Sequence, residues 1–118
     1  MRRFIGLLIV GAVLSLGQEA NAGPYEDGNA AYERGDYATA LNMHRPLAEH
    51  GDMRAQFALG FMYSWGMGVA RNDQEAAKWY GLAAGQGFAG AQYALGLMYR
   101  AGAVGVPRDY QVAERWLR

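Results

Sequence analysis

Apolar and small residues recur along this chain at helical spacing, and the pattern then repeats itself. Ala55, Ala58, Leu59 and Met62 fall at i, i+3, i+4 and i+7, which places them on one face of a helix over 53–65. Ala91, Ala94, Leu95 and Met98 have the same phase 36 residues later, and predict a matching helix over 88–101. The identity between the two stretches extends further. Ala40, Ala48, Gly51, Gln56, Gly60, Tyr63 and Gly66 reappear as Ala76, Ala84, Gly87, Gln92, Gly96, Tyr99 and Gly102. A period of this length marks stacked helical hairpins, in which each unit buries its apolar face only against its neighbours.

The intervening residues supply the remaining elements. Tyr25 to Arg34 reads as a first helix, with Gly35-Asp36 as its turn, and Tyr37 to about Glu49 as a second. Pro46 falls within that second helix and predicts a kink or an end near Arg45. Gly51 stops the chain and Asp52 caps the helix that follows. Gly66-Met67-Gly68-Val69 forms a loop whose glycines are free to take positive φ. Asn72 or Asp73 caps a fourth helix that runs to about Ala84, with Gly85 and Gly87 ending it, and Asp109 caps a sixth. Gly60 and Gly96 lie mid-helix, where glycine costs up to about 1 kcal/mol relative to alanine. Their recurrence predicts close approach of a neighbouring helix backbone, with no room for a Cβ.

The block Ala55-Gln56 to Tyr63, Gly66 to Val69, Ala76 to Tyr80, Ala83-Ala84 and Gly87 resembles the Sel1-like repeat, a relative of the tetratricopeptide repeat. The second copy, Ala91-Gln92 to Tyr99, Gly105 to Tyr110, Ala113 and Trp116, has one extra loop residue. Gly28 through Gly35-Asp36-Tyr37 to Ala40 is similar to a plain tetratricopeptide hairpin with a shorter loop. The resemblance implies an all-α fold, an α-solenoid of antiparallel helix pairs wound as a right-handed superhelix. It divides the chain into a hairpin over about 25–50, a repeat over 51–87 and an incomplete repeat over 88–118. It also implies an adaptor or partner-binding scaffold, although some Sel1-like proteins have been linked to hydrolase activity.

The N-terminus follows a different pattern. Arg2 and Arg3 precede an apolar run from Phe4 to Leu16, and Ala20-Asn21-Ala22 offers a small-x-small cleavage site. This is the composition of a secretory signal peptide over 1–22, with Gly23 as the first mature residue. The alternative, a retained anchor, needs about 20 apolar residues, more than this run provides. Export predicts a periplasmic or secreted location. The chain has no cysteine, so lipidation on cysteine, disulfides and thiol chemistry are excluded. Formal charge is zero, which gives no electrostatic case for nucleic acid or an anionic membrane surface.

Candidate chemistry is sparse. Beyond residue 22, Ser64 is the only serine and Thr39 the only threonine, and neither lies in a nucleophile motif. His44 and His50 are six apart, not the i, i+4 spacing of paired ligands, and read as surface residues near a helix end. The expectation is therefore no catalytic residue, no metal and no cofactor. A second stripe is more informative. Phe57, Phe61 and Trp65 lie at i, i+4 and i+8, off the Ala55/Leu59/Met62 face, with Tyr93, Leu97 and Ala101 as counterparts. Tyr25, Asn29 and Glu33 take the same phase on the first helix. In tetratricopeptide-like solenoids this phase lines the concave groove. The resemblance thus implies an aromatic groove for a peptide or protein segment, with Phe57, Phe61, Trp65, Tyr93, Leu97, Asn29, Arg54 and Arg100 in or beside it. The competing expectation is that these side chains only pack adjacent first helices together. A different reading of the whole chain is a structural self-assembler. Solenoids finish with a polar cap, and Arg118 comes before any counterpart of Ala83-Ala84 and Gly87, so either the sequence is incomplete or the last hairpin stacks on another copy.

Overall fold

Six helices follow one another in a computed structural model that describes residues 23–103, 105 and 108–118. They are α1 (Pro24–Glu33), α2 (Tyr37–Glu49), α3 (Met53–Trp65), α4 (Asp73–Gly85), α5 (Ala89–Ala101) and α6 (Tyr110–Leu117). No strand occurs among the described residues. Each helix packs on the one before and the one after it, which makes three hairpins in a row. The expected signal segment 1–22, and Val106 and Pro107 of the second copy's loop, lie outside the described residues.

The termini of these helices follow from short polar side chains and glycines. Asp36 accepts from Thr39 N–H at 3.3 Å, Asn72 from Glu75 N–H at 3.0 Å, and Asp109 from Gln111 and Val112 N–H, both at 3.0 Å. Each satisfies a donor that the first turn leaves without an intrahelical partner. At the other end, Gly66 (φ 67°) and Gly102 (φ 66°) close α3 and α5 in the left-handed region. The next N–H, of Met67 and of Ala103, then reaches back to Met62 O and Met98 O, as a left-handed helix stop requires.

Pro46 does not end α2. The helix runs through it to Glu49. Pro46 and the residue four back, Asn42, are both exposed. Water therefore solvates the carbonyl that lost its N–H, and the usual penalty for an interior proline is softened.

The core is built from small residues. Ala31, Ala40, Ala48, Ala55, Ala76 and Ala83 are buried along the helix contacts, with Leu59, Met62 and Tyr63 filling the wider gaps. The mid-helix glycines act with them, but not against a neighbouring backbone, as the sequence suggested. At Gly60 the obstruction is a side chain: a Cβ there would lie 2.6 Å from a ring carbon of Tyr80. At Gly96 it would lie 2.6 Å from Leu117, and at Gly28 2.7 Å from the ring of His44. Each hairpin thus seats one large side chain of its second helix in a notch on its first. His44, Tyr80 and Leu117 are equivalent positions, and so are Gly28, Gly60 and Gly96.

The recurring glutamines have a shared role. Gln56 Nε2 donates to Ala48 O at 3.2 Å, and Gln92 Nε2 donates to Ala84 O at 3.2 Å. Each supplies a partner to a carbonyl at the C-terminal end of the preceding helix. Gln86 Nε2 adds a bond to Gln56 Oε1 at 2.8 Å and one to Gly51 O at 3.0 Å, which ties the second hairpin to the first. The long loops also lock repeats together. Gly68 (φ 71°) rests on the backbone of Tyr37, where a Cβ would come within 2.6 Å of its carbonyl carbon.

Gly60 and Gly81 separate packing from helix propensity. A Cβ on Gly81, midway along α4, meets nothing within 4 Å. Gly81→Ala should stabilise the protein by up to about 1 kcal/mol. Gly60→Val should destabilise it by about 1–3 kcal/mol through overpacking against Tyr80. Urea denaturation followed by circular dichroism checks both signs. Unchanged stability in Gly60→Val would remove the close-packing explanation.

Candidate functional site

The first helices of successive hairpins, α1 and α3, lie side by side and line a half-open cavity of about 260 Å³. Its α1 wall is Tyr25, Asn29 and Tyr32, at i, i+4 and i+7. Its α3 wall is Phe57, Ala58, Phe61 and Met62, and His44 of α2 completes the lining. Rings line the cavity and continue past it. Phe61 meets Tyr32 at a centroid distance of 6.3 Å and Trp65 at 6.1 Å, and Tyr32 meets Tyr37 at 5.2 Å. These offsets and tilts are the favourable arrangement for aromatic pairs.

At one end, the Arg54 guanidinium lies 4.2 Å from the centre of the Tyr25 ring. Asp52 holds it there at 3.2 Å, with Glu26 at 3.7 Å. Asp52 also caps α3, accepting from Arg54 N–H at 2.9 Å and Ala55 N–H at 3.3 Å. Partial burial would raise the Asp52 carboxyl, but the Arg54 side chain and these two N–H groups outweigh that and hold it below its ordinary value.

The expected site residues divide into three groups. Phe57, Phe61 and Asn29 line the cavity, Arg54 sits over its Tyr25 wall, and Trp65 extends it while remaining 68% exposed. Phe57 also packs away from the cavity: its ring is 5.5 Å from Tyr80 of its own hairpin and 5.0 Å from Phe88 at the start of the next. The helix-packing expectation therefore holds for one side of Phe57. Tyr93, 62% exposed, and the half-buried Leu97 lie one repeat further on, outside the cavity. Arg100 lines a separate hollow against α6, with Tyr110, Glu114 and Leu117.

Sequence reasoning missed His44. It is not a surface residue but is 1% exposed, with its ring 5.3 Å from Tyr25. Its Nδ1 is buried without a hydrogen-bond partner. Burial lowers its pKa, an effect opposed by the Asp52 carboxylate. A signal was present in the repeat: His44 stands 36 residues before Tyr80 and so falls on the core side of its helix. His50 is the exposed one, its Nδ1 2.7 Å from Pro46 O. Burial also acts on Tyr80, whose phenol is pushed up to about 12 against the opposing effect of a hydrogen bond with Ser64. Among the described residues no group of three His, Cys, Asp or Glu side chains is placed to hold a metal. No helix there is long and apolar enough to cross a membrane.

Paired helices stacked in register, with an aromatic face along the first helix of each pair, define an α-solenoid of the repeat-scaffold class. The Sel1 repeat profile matches residues 54–88 and 89–118, and the protein belongs to the Sel1 repeat family. It is 39% identical over 74 residues to an exopolysaccharide production negative regulator of Rhizobium meliloti (strain 1021), covering 60% of this chain and 28% of that protein. Its fold matches the crystal structure of a Sel1 repeat protein from Oxalobacter formigenes, with a TM-score of 0.72 and 34% identity, over 76% of this chain and 37% of that one. A protective antigen present in uropathogenic Escherichia coli strains, displaying an SLR fold, matches with a TM-score of 0.73 and 38% identity, over 79% of this chain and 21% of that one. The chain thus spans less than two fifths of the length of each of these relatives. Sel1 repeat proteins are generally protein–protein interaction scaffolds, and the fold is typically non-catalytic.

The buried imidazole gives the fold a pH dependence of definite sign. In the unfolded chain His44 takes up a proton near its ordinary value of 6.5, and in the folded protein only at lower pH. Between those values the unfolded chain binds more protons, so stability is full above about pH 6.5 and falls as the pH drops through the window. The unfolding midpoint should therefore decrease between pH 7.5 and pH 5. In His44→Leu, with the side chain that fills the equivalent notch as Leu117, that decrease should flatten. An equal decrease in the variant would assign it to other groups.

Proposed function

We propose that this protein is an exported scaffold that holds a peptide or protein segment along the aromatic face of its first helices. The exposure of Trp65 carries the reading. A tryptophan that is 68% open to solvent, tilted against Phe61 at the end of an aromatic cavity, provides contact area that the other described residues leave uncovered. Exposed aromatic surface of this kind marks partner sites, and tryptophan is enriched among residues that dominate binding energy. The family's general role as a protein–protein scaffold supports the same reading. Arg54, Asn29 and, further along, Tyr93, Leu97 and Arg100 are the adjoining contacts through which a longer segment is selected. The partner is an envelope component, because the N-terminal pattern of Arg2, Arg3, Phe4–Leu16 and Ala20-Asn21-Ala22 directs the chain out of the cytoplasm.

Trp65→Glu tests the groove. Trp65 is exposed, so the variant should stay helical by circular dichroism. Affinity capture from an envelope extract, followed by titration of the purified partner, should show binding weakened by about 30-fold or more, as for loss of a dominant interface residue. Equal binding by parent and variant would place the site elsewhere. Recovery of the protein alone, with a size that grows with concentration, would favour self-assembly instead. Sequencing the N-terminus of the protein isolated from its host should begin at Gly23; retention of Met1 would contradict export by cleavage.

A further inference from the structure

The three hairpins share one notch and fill it with three different side chains. Burial pushes the Tyr80 phenol up to about 12, and Leu117 has no proton to gain, so neither knob changes charge near neutral pH. His44 is the knob that does. A Cβ on Gly28 would lie 2.7 Å from both Cε1 and Nε2 of its ring, so the imidazole bears directly on α1. The residue is 1% exposed, and Nδ1 is buried with no hydrogen-bond partner. A neutral imidazole tolerates that place, because one of its ring nitrogens carries no hydrogen. An imidazolium carries a hydrogen on both, so protonation puts a charged donor at Nδ1 where no acceptor stands. The charged groups on the neighbouring elements do not supply one. On α3, the Asp52 carboxylate favours the proton, but it is bound to Arg54 and to the first turn of its own helix. On α1, Tyr25 meets the ring at 5.3 Å, Glu26 is turned to Arg54 at 3.7 Å, and Asp27 and Glu33 are exposed. On α2 itself, Arg45 donates to Tyr63, and Glu49 and His50 are exposed.

We propose that His44 is a pH-sensitive latch: its protonation frees α1 from α2, and so removes one wall of the cavity, while α2 to α6 remain folded. Release is confined to α1 because the bonds that tie α2 and its following turn to the rest of the solenoid do not pass through α1. These are Gln56 Nε2 to Ala48 O at 3.2 Å, Arg45 Nη2 to Tyr63 Oη at 3.1 Å, and Gln86 Nε2 to Gly51 O at 3.0 Å. α1 itself is held by the notch, by the buried Ala31, by Tyr32 against Tyr37 and Phe61, and by Tyr25 and Glu26 against Arg54. The Arg54 contacts are exposed to solvent and individually weak. Once detached, α1 has 10 residues, too few to persist as an isolated helix, so the open state is unravelled and leaves His44 in water. In that state His44 takes up a proton near its ordinary value of 6.5, whereas in the closed state burial lowers the value against the opposing pull of Asp52. The open state therefore binds more protons between the two values, and opening is favoured as the pH falls through that window. The latch is a property of the fold and goes beyond the groove reading. It regulates partner binding where that reading holds, since Tyr25, Asn29 and Tyr32 leave the cavity with α1.

Amide hydrogen exchange on the full chain, read as protection relative to intrinsic rates at pH 7.5 and pH 5, tests the latch. The amides of Ala31 and Tyr32 in α1 should be less protected than those of Leu59 in α3 and Ala83 in α4 at both pH values, because they exchange through an opening that leaves α3 and α4 folded. Protection in α1 should fall between pH 7.5 and pH 5 by several-fold, and by up to about 30-fold for an open-state value of 6.5. His44→Leu and His44→Tyr place in the Gly28 notch the knobs of the other two hairpins, and in both α1 protection should be the same at the two pH values. An NMR titration of the His44 imidazole in the parent, which needs no variant to fold, should give a midpoint below 6.5. Equal protection of α1 and α3 would mean that the chain opens only as a whole, and would overturn the latch. So would unchanged α1 protection in the parent, an undiminished pH dependence in the folded variants, or an imidazole midpoint at or above 6.5. No ligand enters the measurement, so its failure and the failure of the Trp65→Glu binding test are distinguishable.

Discussion

In each hairpin, one large side chain of the second helix lies in a notch left by a glycine of the first. His44 fits against Gly28, Tyr80 against Gly60 and Leu117 against Gly96, each within 2.6–2.7 Å of where a Cβ would stand. A glycine in a helix interior gives up as much as about 1 kcal/mol of propensity. That loss is offset because the knob brings the two helices close enough for Ala31, Ala40, Ala76 and Ala83 to bury their small faces. With the hairpin geometry set, the remaining contacts are between hairpins. Gln56 and Gln92 complete the carbonyls of the preceding helices, Gln86 reaches back to Gly51, and Gly68 lets its loop rest on Tyr37.

The notch also connects the fold with its candidate site. The knobs differ in size while the notch stays the same, so the space beside each knob varies from repeat to repeat. Tyr80 and Phe88 close the junction between α3 and α5 with rings. His44 and Asp52, at the equivalent places, leave the junction between α1 and α3 open. A solenoid whose repeats were identical would present the same surface at every step. Here the first junction is the distinctive one, and it leads onto Trp65.

Much of the architecture was legible because repetition exposes constraint. The offset of 36 between Ala55–Gly66 and Ala91–Gly102 located α3 and α5, and the caps at Asp52 and Asp109 followed from residue type, while the structure selects Asn72 over Asp73 for α4. Pro46 misled because a proline's effect depends on whether the orphaned carbonyl reaches water, which local sequence does not state. The recurrence of Gly60 marks a close-packed position, but the partner is a side chain contributed from 20 residues away, and periodicity alone does not distinguish a ring from a backbone. His44 was misplaced for a related reason. Histidine near a helix end is polar by type, and only its alignment with Tyr80 indicates the core. The aromatic stripe Phe57, Phe61 and Trp65 was visible in the sequence, whereas the division of Phe57 between groove and helix packing depends on Phe88, which the stripe does not include.

The Tyr80 ring, and not helix propensity, requires glycine at position 60. A double-mutant cycle of Gly60→Ala with Tyr80→Ala, read by urea denaturation, tests it most directly. With Tyr80 present, Gly60→Ala should destabilise, because the new methyl is pressed into the ring and overpacking outweighs the gain in propensity. In the Tyr80→Ala background the obstruction is gone, and the same substitution should stabilise by up to about 1 kcal/mol. Reversal of sign is the result the notch predicts. The same sign and size in both backgrounds would mean that Gly60 and Tyr80 do not set the hairpin.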